Sequence, residues 1–125
     1  MQKTYKSFMD SLRGFKVVLM EERNFKIEII ISLLVLIFVT IFDFSSYEII
    51  PLVIVMFMVI TAEVVNTAIE DICNKIEPGY NEVIGKVKDI MAAYVLLTVI
   101  CSIIVGSIVV FNHFAGNLLI HFLSY

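Results

Sequence analysis

The chain has 125 residues, of which 60% are hydrophobic and 17% are charged, and its net charge is −3 at neutral pH. A soluble domain is usually about half apolar, so this composition excludes an ordinary soluble domain and indicates a membrane protein. All nine Lys and Arg residues lie in two blocks, residues 3–26 and residues 75–88. The positive-inside rule places both blocks in the cytoplasm and the other connecting segments outside.

The first predicted element is an amphipathic surface helix with its junction, residues 1–24. Its apolar residues recur at spacings of three and four: Tyr5, Phe8, Leu12, Phe15 and Leu19. Basic residues flank this stripe, a pattern typical of a helix that lies in the plane of the lipid headgroups. A soluble helix packed on a partner would show the same pattern, but the adjacent membrane spans favour the surface helix.

Three membrane spans follow, because three apolar runs approach the ~20 residues that a crossing helix needs. We predict these spans over residues 25–45, 49–72 and 90–111, a cytoplasmic, partly helical connection over residues 73–89, and an extracytoplasmic tail over residues 112–125. The N-terminus is then cytoplasmic and the C-terminus outside. The predicted fold class is an all-α membrane protein consisting of a surface helix and three transmembrane helices.

The second span contains a feature that apolar packing does not explain. Pro51 is predicted in the first turn of this helix, where its missing N–H costs little. Further along, Glu63 lies inside apolar sequence, and a membrane-embedded carboxylate is expensive unless it is paired or hydrated. Asn66 and Glu70 follow at i+3 and i+7 and share its face, with Glu70 about 10 Å further along the axis. This spacing predicts one site with an acid near a membrane substrate and another near water; an interhelical hydrogen bond is the structural alternative.

Carboxylates near the cytoplasmic side could also bind a metal nucleotide. Magnesium typically binds through one or two carboxylates and the phosphates themselves, so Glu22 and Glu70 are candidate ligands and Lys88 is a candidate phosphate contact. The string GYNEVIGK, residues 79–86, has five residues between its glycines and is followed by Val87. A P-loop needs four residues there and then Ser or Thr, so this string is not a P-loop.

Three stretches together resemble a known family. AEVVNTAIED (residues 62–71), GKVKD (residues 85–89) and the junction ERNF (residues 22–25) are similar to the signatures of the prokaryotic diacylglycerol kinase and undecaprenol kinase family, which are small integral-membrane lipid kinases. The resemblance covers nearly the whole chain. It implies a homotrimeric bundle whose sites are shared between neighbouring subunits. Magnesium ATP would bind from the cytoplasm, and the lipid hydroxyl would enter from the membrane.

The resemblance also implies a role for each matching residue. Glu63 is similar to the family's general base, and Glu22 and Glu70 to its metal-binding pair. The residues implied in nucleotide binding are Lys3, Asp10, Glu22, Asn66, Glu70, Gly79, Tyr80, Asn81, Lys88 and Asp89, and those implied in lipid-substrate binding are Glu28, Glu63, Asn66 and Ala92. The chain departs from the family pattern at residues 79–81, where relatives often have Glu-Tyr-His, at Lys3, where an arginine is often found, and at Tyr94, where a small residue is usual.

The predicted function is therefore that of an ATP-dependent lipid kinase in the bacterial plasma (inner) membrane, with no nucleic-acid partner. The residues of the ERNF and NTAIE stretches resemble the branch of this family found in Gram-positive bacteria, which favours undecaprenol as the acceptor. Diacylglycerol is the alternative. A proton-coupled transporter would also use a membrane glutamate, but near the midplane and reachable from both sides. Glu63 is predicted in the inner third of the bilayer, which favours the kinase. A structural scaffold would leave the buried acid unexplained.

Overall fold

The structure is a computed structural model that describes residues 2–123, with side chains described for residues 3–116 and residue 118. The described residues form four helices: α1 Gln2–Glu21, α2 Arg23–Ile41, α3 Ser46–Ile76 and α4 Glu82–Leu123. Three stretches, Arg23–Ile41, Ser46–Ile76 and Glu82–Gly116, are long and apolar enough to cross a membrane. The prediction of an all-helical fold with three apolar spans is confirmed.

The break between α1 and α2 falls at Glu22, whose backbone is extended (φ −97°, ψ 119°). Phe25 anchors the break: it is fully buried and packs edge-to-face on Phe15, with ring centroids 5.4 Å apart. The Lys26 ammonium donates a hydrogen bond to the Met20 carbonyl oxygen at 3.0 Å, which satisfies one of the carbonyls left unpaired at the end of α1. Glu22 is thereby held at a fixed bend at the start of the first span.

The turn between α2 and α3 changes one prediction. The Glu48 side chain accepts hydrogen bonds from the backbone N–H and the hydroxyl of Ser45, both at 2.7 Å, so Ser45 caps a helix that begins at Ser46. Pro51 consequently lies inside α3, and its prediction in the first turn is wrong. The reason is the Ser45–Glu48 cap, a standard helix-start signal that moves the helix start towards the N-terminus.

The connection between α3 and α4 is shorter than the predicted range suggests. Only residues 77–81 are non-helical between the two helices. The Asn81 side-chain oxygen accepts hydrogen bonds from the N–H groups of Val83 (2.9 Å) and Ile84 (3.2 Å), which is the geometry of a helix N-cap. At its other end α4 continues through the predicted tail to Leu123.

α3 is the central helix, since it contacts each of the other three and packs most extensively on α4. Large apolar side chains on α2 and α4 remain exposed in the single chain, among them Leu34 (59%) and Ile103 (61%). Exposed apolar area on this scale is not tolerated in water and marks surfaces for lipid or other protein. The three apolar helices therefore form a membrane protein.

An aromatic cluster closes the α2–α3 end of the molecule. Phe44 is buried (6% exposed), and the His113 ring stacks on it with centroids 3.8 Å apart and an interplanar angle of 9°. Nδ1 of His113 lies 3.1 Å from the Glu48 carboxylate, and Phe114 packs edge-on to both rings. His113 therefore has a packing role, and the side chain of His121 lies outside the described residues.

We expect His113→Ala to lower the free energy of unfolding by at least about 1 kcal/mol, since a stacked ring pair and a hydrogen bond to a carboxylate are both lost. His113→Phe should recover the part that comes from stacking. Thermal unfolding in detergent measures both. Tyr47→Ala is the control, because Tyr47 is 89% exposed at the same end; equal midpoints for wild type and His113→Ala would contradict this role.

Candidate functional site

Glu63 is buried in the structure, with 2% of its surface exposed, beside the equally buried Ala62. The side chain of Asn24, in the first turn of α2, lies close enough to its carboxylate to form a hydrogen bond with it. The Thr67 hydroxyl donates instead to the backbone oxygen of Glu63, at 2.9 Å, so this hydroxyl is engaged by the helix. Asn24 is therefore a neutral polar neighbour of the Glu63 carboxylate.

Three further carboxylates surround Glu63. Glu22 and Glu70 are close enough to act on its charge, and Glu63 acts in turn on Glu28. We call Glu22, Glu28, Glu63 and Glu70 the acid cluster. Its members come from the α1–α2 break, from α2 and from α3, so the packing of α2 against α3 creates it. Like charges in a partly dry site repel each other strongly, and such a cluster is stable only with protons or a cation to balance it.

The carboxylates of the acid cluster are potential ligands for a metal ion. Among the side chains of residues 3–116 and 118, no three or more His, Cys, Asp or Glu are placed to hold a metal together. Two carboxylates suffice for magnesium when phosphate oxygens and water complete its coordination. Glu22 and Glu70 both lie near Glu63, and their carboxylates suit magnesium that also takes phosphate oxygens as ligands.

A cavity of about 190 Å³ lies between α3 and α4 next to the acid cluster; we call it the polar cavity. It is lined by Asn66, Glu70, Lys88, Asp89 and Ala92. The sequence predicted all five as site residues, and the structure brings them together. Carboxylates, an amide and an ammonium in one small cavity can bind a polyanion with its counterion.

Lys88 is held in a defined position at this cavity. Its Nζ donates a hydrogen bond to Oδ1 of Asn74 at 2.6 Å, which links α3 to α4. Because Asn74 is neutral, this contact orients the ammonium without neutralising its charge. Lys88 can therefore still bind a phosphate oxygen as a point charge.

A second cavity, of about 330 Å³, opens between α2 and α4; we call it the apolar groove. Asn24 and Glu28 line one part, and Ile27 and a stripe of α4 from Ala92 to Val99 line the rest. Oε2 of Glu28 is buried and has no hydrogen-bond partner. A buried polar atom without a partner is rare and calls for a ligand or water. Ala92 lines both cavities, so the groove and the polar cavity adjoin.

A third cavity, of about 540 Å³, lies at the α3–α4 connection and includes Tyr80, Lys86 and Asp89. It meets the polar cavity at Asp89. Of the predicted residues 79–81, Tyr80 faces this open cavity, while Asn81 is occupied in capping α4. The Gly79 N–H donates to the Glu77 carboxylate at 3.3 Å.

Two predicted residues lie elsewhere in the chain. Lys3 and Asp10 are exposed on α1, Asp10 pairs with Arg13 at 3.6 Å, and neither lines the three cavities described above. The prediction from sequence in turn missed Asn24 and Asn74. Asn74 could have been found, because it follows Glu70 by one helical turn on the same face. Asn24 is part of the ERNF junction, where only its neighbour Glu22 was singled out.

The fold and this site define a class: small helical membrane proteins with an acidic, lysine-bearing site at one end of their spans. Within that class, residues 9–110 match the family model for prokaryotic diacylglycerol kinase, and the chain belongs to this family. It is 28% identical over 104 residues to the diacylglycerol kinase of Escherichia coli (strain K12), covering 83% of this chain and 85% of the relative. The relatives from Escherichia coli O157:H7 and Shigella flexneri give the same values.

Family membership has two direct consequences. The chain is a lipid kinase, a phosphotransferase with an alcohol acceptor, and ATP is its implied cosubstrate. Family membership therefore favours the kinase over the proton-coupled transporter that the sequence analysis considered.

We expect Glu63→Gln to raise the thermal stability of the ligand-free protein by about 1 kcal/mol at alkaline pH, because it removes one charge from the acid cluster while keeping an acceptor for Asn24. The gain should shrink as the pH falls and the carboxylates take up protons. Glu21→Gln is the matched control, because Glu21 is an exposed glutamate at the end of α1. A Glu63→Gln protein less stable than wild type at alkaline pH would contradict the repulsion argument.

Proposed function

We propose that this chain transfers the γ-phosphoryl group of ATP to the primary hydroxyl of a membrane lipid alcohol, with Glu63 as the general base. One observation carries the proposal: the buried Glu63 lies in an acid cluster that adjoins two different cavities. The polar cavity contains Glu70 and Lys88 and suits a triphosphate. The apolar groove, with Glu28 and the aliphatic stripe of α4, suits a lipid with one polar group.

Phosphoryl transfer depends mainly on positioning and charge neutralisation, so the protein takes little part in the covalent chemistry. Lys88, oriented by Asn74, binds the phosphates. Glu63 removes the proton from the lipid hydroxyl, the oxygen bonds to the γ-phosphorus, and the bond from that phosphorus to ADP breaks. Asn66 lies on the α3 face between Glu63 and Glu70 and positions the reacting groups.

Magnesium is the metal that the family and the donor set imply. Glu22 and Glu70 would hold it, and when bound it supplies positive charge to the triphosphate. The acid cluster supports this assignment, because four neighbouring carboxylates need a balancing charge. Lys88 would then contribute a second positive charge to balance the phosphates, from the lining of the polar cavity.

Two lipids are candidates for the acceptor. The residues of the ERNF and NTAIE stretches support undecaprenol, which we propose as the preferred acceptor. The relatives at 28% identity are diacylglycerol kinases, which supports diacylglycerol. Both lipids present a primary hydroxyl near the headgroup boundary, so the same base serves either of them.

The proposed assembly is a homotrimer with shared sites in the bacterial plasma membrane, the N-terminus in the cytoplasm and the C-terminus outside. The exposed apolar faces of α2 and α4 support further helix packing, and the basic blocks support the orientation. We propose α1 as the amphipathic surface helix. Lys3 and Asp10 on it would then reach the nucleotide of a neighbouring subunit, because they lie apart from the polar cavity of their own chain.

The proposed function is tested with purified protein, magnesium and labelled ATP in mixed micelles that contain undecaprenol or diacylglycerol. We expect label on the lipid fraction, with undecaprenol the better acceptor. Glu63→Gln should reduce turnover by at least about a hundredfold, because the general base is lost, while its oligomer remains intact by size-exclusion chromatography. Label on neither lipid would contradict the function. Label on diacylglycerol alone would replace the first acceptor by the second, and full activity of Glu63→Gln would remove Glu63 as the base.

We expect Glu22→Gln and Glu70→Gln each to raise the magnesium concentration needed for half-maximal activity by about tenfold or more, because a ligand is lost. A magnesium titration at fixed ATP measures this. Glu21→Gln provides the control, since it removes the same charge one residue away from Glu22. An unchanged magnesium requirement in both variants would reject the pair as metal ligands.

A further inference from the structure

We propose that Asn24 is a positioning residue that holds the Glu63 carboxylate towards the apolar groove and the incoming lipid hydroxyl. This inference rests on the proposed function, because it assigns how the base is oriented. It adds Asn24, which the sequence analysis did not single out, to the residues that act on Glu63. The inference depends on one juxtaposition: the same amide contacts the buried base and lines the groove.

The location of Asn24 follows from the α1–α2 break. It lies two residues after Glu22, whose extended backbone ends α1, in the first turn of α2. Phe25, fully buried next to it, fixes that turn against the rest of the molecule. The amide of Asn24 is therefore carried on a short, anchored helix start, which is the kind of support that a positioning group needs.

The Asn24 amide suits this position better than a charged group would. Its NH₂ group can donate one hydrogen bond to Glu63 and still offer a second N–H, while its carbonyl oxygen can accept. Because the amide is neutral, it adds no charge to the acid cluster. One oxygen of Glu63 is then held towards α2, and the other remains available to take the hydroxyl proton.

A second observation points to a ligand at the same place. Glu28 lies one helical turn after Asn24 on α2, lines the same groove, and has a buried Oε2 without a hydrogen-bond partner. Asn24 and Glu28 thus mark the polar part of a groove whose remaining wall is aliphatic. A lipid hydroxyl between them would be within reach of Glu63 and close to Ala92, where the groove adjoins the polar cavity.

The test measures kcat and KM for three variants of Asn24 in the micelle assay. Asn24→Ala should lower kcat by about tenfold or more, as expected when a base is no longer oriented, and should leave the KM for ATP within about twofold. Asn24→Gln should recover part of kcat because it keeps the amide. Asn24→Asp should be at least as impaired as Asn24→Ala, since it adds a carboxylate to the acid cluster. Asn112→Ala, an exposed asparagine on α4, is the control that should retain wild-type kinetics.

A contact measurement separates failure of this inference from failure of the proposed function. The side-chain amide resonance of Asn24, read by NMR in micelles, should shift in Glu63→Gln and stay unchanged in Glu21→Gln. If wild type phosphorylates neither lipid, the function fails, and the resonance shift still decides whether Asn24 contacts Glu63. Wild-type kcat in Asn24→Ala, a loss confined to the KM for ATP, or an Asn24 resonance insensitive to Glu63→Gln would each overturn the positioning role.

Discussion

A carboxylate inside an apolar membrane helix is the constraint on which the rest of this structure depends. Glu63 is nearly inaccessible in the single chain, and an ionised group in such a place is unfavourable unless its surroundings compensate. The structure places one neutral amide, that of Asn24, and further carboxylates near Glu63. The site is therefore electrostatically incomplete by itself. In the proposed function, a cation and a lipid hydroxyl complete it, and the unfavourable buried charge then serves phosphoryl transfer.

The two ends of the bundle divide stability and function. At the α2–α3 end, Phe44, His113 and Phe114 form close ring contacts, and Glu48 both caps α3 and contacts His113. At the α3–α4 end, polar and charged groups line adjoining cavities that are poorly packed by comparison. Enzymes commonly hold strained or repulsive groups at their sites at the expense of stability. Here the aromatic end holds α2, α3 and α4 together while the other end keeps the acid cluster open to ligands.

The sequence predicted the parts of this molecule that depend on periodicity and burial. The three apolar spans followed from hydropathy, and the α3 face with Glu63, Asn66 and Glu70 followed from helical spacing. What it missed depends on contacts between elements. Asn24 is an exposed residue of a charged junction, and only the packing of α2 on α3 brings it next to Glu63. The role of Asn81 as the cap of α4 and the early start of α3 depend on side-chain to backbone hydrogen bonds, which a hydropathy pattern does not contain.

The central claim is that Glu63 faces a lipid hydroxyl beside the γ-phosphate of a nucleotide in the polar cavity. The most direct measurement is an experimental structure in a bilayer mimic with magnesium, a non-hydrolysable ATP analogue and a short-chain prenol. The account predicts the triphosphate against Lys88 and Glu70, and the prenol oxygen within hydrogen-bond distance of Glu63 and in line with the γ-phosphorus. A nucleotide bound away from the acid cluster, or a Glu63 side chain turned towards acyl chains, would contradict it.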